Sequence, residues 1–247
     1  MSDESKLLKE ELIDKYVNYG LESFSELEIL KLILSFSGNK NISEVAVKLL
    51  GCYGSISNIL SMDTKAILKD QYVSKQSAVL LRLIAVMNRR YNMDRENIKN
   101  IGNPQLAAAF LKNYYIGISE EKIAVIALDK DLSIKADDFL ASGTNMSVNV
   151  SCHDISKFAL SHDSDIIIIS HNHPFGSSEP SENDISVTRQ IIKSLRNINI
   201  TLIDHIIIGQ YDSFSMRENF SDTLFDKVED YGYGCYEIIG EHDDEIE

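Results

Sequence analysis

"DIIIISHNHPFGSSEPSEND", residues 165–184, is the stretch of sequence that decides the fold. Its β-branched run predicts a buried strand, and side chains along a strand alternate between two faces. His171 and His173, two residues apart beyond that run, therefore point to the same side. Pro174 and Gly176 then turn the chain out of the sheet. We expect both imidazoles at the end of a strand, where α/β proteins commonly build their sites.

The end of this stretch admits two interpretations. Ser181 and Asp184 form the pattern Ser-x-x-Asp, which caps the first turn of a helix by bonding its free backbone amides. The same carboxylate, close in sequence to two imidazoles, also completes a set of three metal ligands. Two histidines on one strand face are hard to bury without a partner. The pair therefore favours a metal site, with His171, His173 and Asp184 as ligands.

The donor atoms of this set favour zinc. Imidazole nitrogen and carboxylate oxygen both suit zinc, and three protein ligands leave a fourth position for water. We therefore predict one Zn²⁺ ion per chain. Iron and manganese accept the same donors and remain open, because coordination geometry rather than residue type separates these metals.

The segments around the histidines alternate between strands and helices. Short β-branched runs predict strands at "KIAVIALDK" and "ITLIDHIIIGQ". Apolar residues at helical spacing predict helices at "NPQLAAAFLKNYY", "HDISKFALSH" and "SENDISVTRQIIKSLRNIN". The last of these helices carries Ile185, Thr188, Ile192 and Leu195 on one face. Strands that alternate with helices indicate a layered domain of the α/β or α+β class, and we predict a chain that is α+β overall.

Upstream of about residue 93 the pattern is helical. "SELEILKLILSFSG" places Leu27, Leu30 and Leu34 on one stripe, and "ISEVAVKLLGCYGSISNIL" places Val47 and Leu50 on its apolar face. The polar segment "DRENIKNIGNP" separates these helices from the strands. We predict a small all-helical N-terminal domain at 1–97, a metal-binding domain at 98–226 and an acidic C-terminal tail at 227–247.

The composition is that of a globular protein with a strong negative charge. The 247 residues are 44% hydrophobic, but no apolar run approaches the ~20 residues that span a bilayer, and the start lacks a secretory signal. We therefore expect a cytoplasmic protein with no membrane partner. The net charge of −14 opposes binding to polyanions such as DNA. The three cysteines are widely spaced, which argues against a disulfide framework or a thiolate zinc ribbon.

The complete motif resembles that of a known superfamily. The JAMM, or MPN-plus, metalloproteases have the pattern His-x-His-Pro followed by Ser-x-x-Asp, with seven residues, the proline included, between the second histidine and the serine. Every specified position of this pattern matches. "HNHPFGSSEPSENDISVTRQI" and "LIDHIIIGQYDSFSMRE" look like its bacterial RadC-like branch. The N-terminal helices are also similar to those of that family. The resemblance implies a JAMM/MPN-like domain with the layered architecture of the cytidine deaminases.

The resemblance also assigns roles to residues. It implies zinc ligation by His171, His173 and Asp184, and support of the water or the transition state by Ser181. JAMM proteins take their general base from a glutamate on an earlier strand. "EKIAVIALDK" resembles the RadC segment that begins with this glutamate, which selects Glu121. Without the resemblance, Glu120 and Glu121 are both simply charges that precede a strand.

The sequence departs from the family pattern in three places. Phe175 stands where serine is usual, and "SCHD", residues 151–154, replaces a proline-arginine-glutamate run. In the N-terminal helices, the family carries a helix-hairpin-helix turn whose glycines allow close approach to phosphate. Here "QYVSKQSA" places Tyr72 and Ser74 at those glycine positions. The hairpin is therefore degenerate, which weakens the case for a DNA contact.

Three functional hypotheses follow. The first is a zinc metalloprotease-type hydrolase that acts on a peptide or protein substrate, with Glu121 and Ser181 as catalytic residues. The second is a DNA repair or recombination protein, with the metal domain as a nuclease or a scaffold. The third is a structural metal in a module that recruits partners. The sequence leaves the substrate and the oligomeric state open.

Overall fold

The computed structural model describes residues 3–38, 41–69, 72–140, 152–225 and 231–233. Over these residues the chain is α+β, as predicted, with ten α-helices and a five-stranded mixed sheet. It divides into a first unit, Met1–Glu96 with Asn113–Glu120, and a second unit, Asn97–Lys112 with Glu121–Glu247. Most of the predicted acidic tail lies outside the described residues, as does Cys235.

The first unit is helical. Its α2 begins after Ser25 because the Ser25 side chain accepts the Glu28 amide while the Glu28 carboxylate accepts the Ser25 amide. The buried side chains of the unit, among them Leu30, Leu34 and Leu81, form one apolar core. The helices are α1 (Asp3–Tyr19), α2 (Glu26–Phe36), α3 (Ile42–Tyr53), α4 (Ile56–Ser61), α5 (Thr64–Ile67) and α6 (Lys75–Glu96).

One predicted face in this unit is wrong. Val47 is 56% exposed, whereas Val45, Ala46 and Leu49 are buried on α3. Leu50 is partly buried against the core, as expected. Because five of the six residues from Val45 to Leu50 are apolar, the pattern left the rotation of this helix undefined.

The second unit is built on a sheet with the strand order β2-β1-β3-β4-β5. β3 is central and pairs antiparallel with β1 and parallel with β4. Strands β2 and β5 pair antiparallel at the two edges. The elements are α7 (Pro104–Tyr114), which continues into the first unit, β1 (Ile123–Leu128), β2 (Ile134–Phe139), α8 (Cys152–Ser161), β3 (Ile166–Asn172), α9 (Glu182–Arg196), β4 (Thr201–Ile208), β5 (Ser213–Ser215) and α10 (Met216–Phe220).

Helix α9 connects the two parallel strands and packs on one face of the sheet. Ile167 and Ile169 of β3 share an apolar core with Ile191 and Leu195 of α9. His171 lies two residues beyond Ile169, so it projects from the same face of the strand. The alternation of β3 therefore aims His171 at the start of α9.

A register shift in β4 changes which of its side chains face α9. Ile167 pairs with Leu202, but the next residue, Ile168, pairs with Asp204, so β4 carries one extra residue at this point. His205 consequently pairs with Ile169 and shares its face of the sheet. Strict alternation from Leu202 would have turned His205 to the opposite side.

No helix in the described ranges is both long enough and apolar enough to cross a membrane. The two described cysteines, Cys52 and Cys152, are free thiols, and Cys52 is exposed.

Candidate metal centre

The two predicted histidines lie at one end of β3. His171 is the second-last residue of the strand and is 2% exposed, while His173 follows the strand and is partly buried. The His173 backbone amide donates to the Ile208 carbonyl at 2.7 Å, which holds the chain against β4 before the turn. The ring centroids of His171 and His173 lie 4.9 Å apart. The expectation that both rings face one side at the strand end therefore agrees with the structure.

Asp184 reaches the histidines from the first turn of α9. Ser181 is the N-cap, and its hydroxyl accepts the Asp184 amide at 3.2 Å. The Oδ2 atom of Asp184 in return accepts the amide and the hydroxyl of Ser181, at 2.8 and 2.6 Å. Its other oxygen, Oδ1, lies 3.6 Å from Nε2 of His171. The two interpretations of Ser-x-x-Asp therefore coexist, because one carboxylate oxygen completes the cap and the other faces the histidines.

The three side chains form a group of the size that a metal ion requires. One donor atom from each of His171, His173 and Asp184 lies within 4.8 Å of the others, and Nε2 of His171 is 3.1 Å from Nε2 of His173. Two nitrogen ligands at about 2.0–2.1 Å from a tetrahedral zinc ion lie about 3.3 Å apart. The separations of 3.1 and 3.6 Å lie on either side of that value. The donor set fits zinc, and the ligand roles stay a prediction.

A backbone contact orients His173. Its Nδ1 atom lies 2.7 Å from the Ser177 carbonyl oxygen, and a carbonyl oxygen can only accept a hydrogen bond. The proton of a neutral His173 ring therefore sits on Nδ1, and Nε2 carries a lone pair directed toward His171. A cation between these nitrogens satisfies that lone pair. Proteins usually fix a metal-binding imidazole by such a hydrogen bond from the ring nitrogen that does not bind the metal.

Burial keeps the deeper histidine uncharged. Removal from water lowers the pKa of His171 to about 4, with a further lowering from His173 and an opposing effect from the Asp184 charge. At neutral pH the imidazole is therefore in the form that binds metals. The carboxylate of Asp184, itself 5% exposed, supplies the negative charge next to it.

Glu121 lies outside the group of three but at the same end of the sheet. It is exposed and precedes β1, whose Ile123 pairs with His171. The Lys122 amide donates to the side-chain oxygen of Asn172 at 2.8 Å, which extends the contact of these segments beyond the last ladder pair. If the antiparallel register is continued by two residues, Glu121 lies opposite His173. The role of general base stays a prediction.

Two residues of the site escaped the sequence reasoning. His205 of β4 is buried, and its Nε2 lies 2.8 Å from Nδ1 of His171. Thr188 of α9 lies with its hydroxyl 2.6 Å from Nδ1 of His205. Thr188 was expected on the buried face of its helix, but its contact with a histidine was not anticipated. The signal for His205 was a histidine inside the apolar run "LIDHIIIG".

A comparison with known protein families agrees with this geometry. Residues 101–221 match the family model described as the RadC-like JAB domain. The matched segment includes the five strands, both histidines and Asp184. Proteins with this domain typically bind a metal ion, and the His-His-Asp group is a site that can hold one. Residues 101–221 thus form a RadC-like JAB domain, of the JAMM type of metal-dependent hydrolases, and this match supports membership of the chain in that family.

Proposed function

We propose that this protein is a zinc-dependent hydrolase that cleaves a peptide or isopeptide bond in a protein substrate. The observation that carries the proposal is the convergence of two imidazole nitrogens and one carboxylate oxygen at the end of β3. A catalytic zinc site uses three such ligands and leaves one position open, whereas a structural site is closed by four. When bound, zinc supplies Lewis-acid chemistry that activates water for attack on an amide carbonyl.

His171, His173 and Asp184 hold the ion in this proposal. Both imidazoles are restrained before any ion arrives, His171 by its contact with His205 and His173 by the Ser177 carbonyl. The carboxylate is restrained by the two hydrogen bonds that its Oδ2 accepts from Ser181. A site restrained in this way pays little conformational entropy when it binds the ion.

Glu121 acts as the general base and then as the general acid. Its carboxylate accepts a proton from the attacking water and returns that proton to the leaving amine. Its position two residues before β1, opposite His173 by extension of the register, supports this role. Its exposure gives a substrate access to the carboxylate.

Ser181 assists through its hydroxyl. In the structure that hydroxyl donates to Asp184 Oδ2 and accepts the Asp184 amide. Ser181 therefore orients the carboxylate, and its exposed position at the start of α9 leaves its hydroxyl accessible to a substrate carbonyl. The positive end of the α9 dipole stabilises negative charge at this same point.

The first test of this function is the metal content of the purified full-length protein by mass spectrometry. We expect about one zinc ion per chain, and its loss in His171→Ala and in Asp184→Ala. His162→Ala, which removes an exposed histidine elsewhere in the second unit, is the matched control and should keep the metal. Equal zinc in wild type and in both ligand variants would refute the assignment.

The second test separates catalysis from metal binding. Glu121→Gln should keep the zinc and lose the hydrolysis of fluorogenic peptide and isopeptide substrates, because the amide cannot accept a proton. Glu120→Gln changes the charge by the same amount one residue earlier and should remain active. If Glu121→Gln is as active as the wild type, Glu121 is not the general base. If the zinc-loaded wild type cleaves neither substrate class, the proposed peptidase activity is wrong.

A further inference from the structure

A chain of hydrogen bonds connects the backbone of one predicted metal ligand to the ring of another. The Thr188 hydroxyl lies 2.6 Å from the backbone carbonyl oxygen of Asp184 and 2.6 Å from Nδ1 of His205. Nε2 of His205 lies 2.8 Å from Nδ1 of His171. All of these side chains are buried. The contacts thus run from Asp184 through Thr188 and His205 to His171.

The chemistry of the first contact sets the donor and the acceptor of every later hydrogen bond in this series. A backbone carbonyl oxygen has no proton to give, so the Thr188 hydroxyl donates to the Asp184 carbonyl. The thioether of Met216, 3.6 Å from that hydroxyl, is a weaker acceptor than the carbonyl. A hydroxyl has a single proton, so Thr188 must accept from His205. The ring proton of His205 therefore sits on Nδ1.

The same logic extends from His205 to His171. His205 is only 5% exposed, and this burial favours the neutral ring because a charge is costly to remove from water. A neutral ring with its proton on Nδ1 offers a lone pair on Nε2, and this lone pair accepts the Nδ1 proton of His171. Nε2 of His171 is then unprotonated, and it faces His173 and Asp184.

We propose that His205 is a positioning residue of the metal centre, which holds the His171 ring in the tautomer and orientation that aim the Nε2 lone pair at the ion. The inference rests on the proposed metal site and adds a residue that acts through a ligand. Thr188 also belongs to this series of hydrogen bonds, which we call the device, because its contact with the Asp184 carbonyl sets the direction of the bonds that follow. The device links β4 and α9, and the register shift after Leu202 is what turns His205 toward it.

The test is the zinc affinity of full-length variants, measured by competition with a chromophoric chelator. His205→Leu keeps the bulk and removes the acceptor, and loss of such a second contact weakens metal binding by about 10- to 100-fold. His205→Gln restores an acceptor at the reach of Nε2 and should recover most of that loss. His162→Leu is the matched control and should bind as the wild type does. If His205→Leu binds zinc as tightly as the wild type, the inference is wrong.

A measurement on the wild type does not depend on the folding of any variant. Two-dimensional NMR of the histidine ring nitrogens reports which nitrogen carries the proton. We expect the proton of His205 on Nδ1 in the zinc-loaded protein, and a proton on Nε2 instead overturns the inference. The two proposals fail differently. Wild-type protein that takes up no zinc refutes the metal centre itself, whereas uptake that is indifferent to His205 refutes the positioning role alone.

Discussion

Asp204 gives the clearest prediction about pH. This carboxyl is fully buried on β4, and its oxygens accept hydrogen bonds from the Ser215 and Tyr233 hydroxyls and from the His205 and Arg217 amides. Removal from water raises the pKa of Asp204 to about 6, and those four hydrogen bonds offset part of the effect. The charge of Asp204 in turn helps to raise the pKa of Tyr233. The pKa of this carboxyl is 3.8 in the unfolded chain. At a pH between 3.8 and about 6, the folded protein therefore holds a proton on Asp204 that the unfolded chain has released.

The sign of the effect follows from this difference. Between pH 6 and 3.8 the folded state binds more protons than the unfolded state, so this carboxyl adds stability as the pH falls. The contribution is full below 3.8 and is lost as the pH rises through 6. Integration of this linkage gives about 1.4 kcal/mol between pH 7.5 and pH 5, and about 3 kcal/mol in full. The buried His171 and His205, with lowered pKa values, act in the opposite direction.

Asp204→Asn isolates the contribution. We would measure the free energy of unfolding in urea at pH 7.5 and pH 5 for metal-free wild type and variant. The stability of the wild type relative to Asp204→Asn should increase by about 1.4 kcal/mol at the lower pH. Asp165→Asn, at an exposed position, controls for the loss of one negative charge. A difference between wild type and Asp204→Asn that is the same at both pH values would refute the reasoning.

Three further predictions concern the metal centre, and each is checked by unfolding in urea or by heat. Thr188→Val should lower the free energy of unfolding by about 1–3 kcal/mol because it leaves the buried Nδ1 proton of His205 unpaired. Thr188→Ser keeps the hydroxyl and should lose less stability. Equal losses in the two variants would show that packing, not the hydrogen bond, is responsible. Ser181→Ala should lower the free energy of unfolding by about 1 kcal/mol through loss of the α9 cap, and Ser181→Gly by only a few tenths of a kcal/mol. No loss of stability in either variant would contradict a stabilising cap. Zinc at 100 times its dissociation constant should stabilise the wild type by about 2.7 kcal/mol, and a chelator should reverse this gain. The stability of His173→Ala should not change with zinc. Equal stabilisation of both proteins would mean that the ion binds elsewhere.

The parts of the site that are close together in sequence could be predicted from sequence. The apolar run before His171 defines a buried strand, and period two then fixes the common direction of His171 and His173. The Ser-x-x-Asp pattern defines the start of α9. These inferences depend on local rules that the tertiary structure does not override. The direction in which α9 packs followed from its apolar face, on which Thr188 and Leu195 are buried as expected.

The parts that depend on pairing between distant segments were not predicted. His205 faces the site because of one extra residue in β4, and no local pattern in "ITLIDHIIIGQ" shows where a strand shifts its register. The edge strands β2 and β5 were missed for a similar reason. β2 alternates apolar and polar residues only from Ile134 to Asp137 before Asp138 breaks the pattern, and β5 is three residues long. Both are held in the sheet by their neighbours rather than by their own composition.

The apparent conflict between a helix cap and a metal ligand disappears once the atoms of Asp184 are counted. A carboxylate has two oxygens and about four acceptor sites, and the cap uses Oδ2 alone. The cap also restrains the Asp184 side chain, with Oδ1 directed toward His171. The backbone of the same residue is the acceptor that starts the chain through Thr188 and His205. In the proposed metal centre Asp184 therefore has two roles: its Oδ1 is a ligand atom, and its backbone carbonyl sets the direction of the hydrogen bonds that orient His171. Asp184→Asn keeps the backbone carbonyl and removes the charge, so it should weaken metal binding while it leaves the tautomer of His205 unchanged.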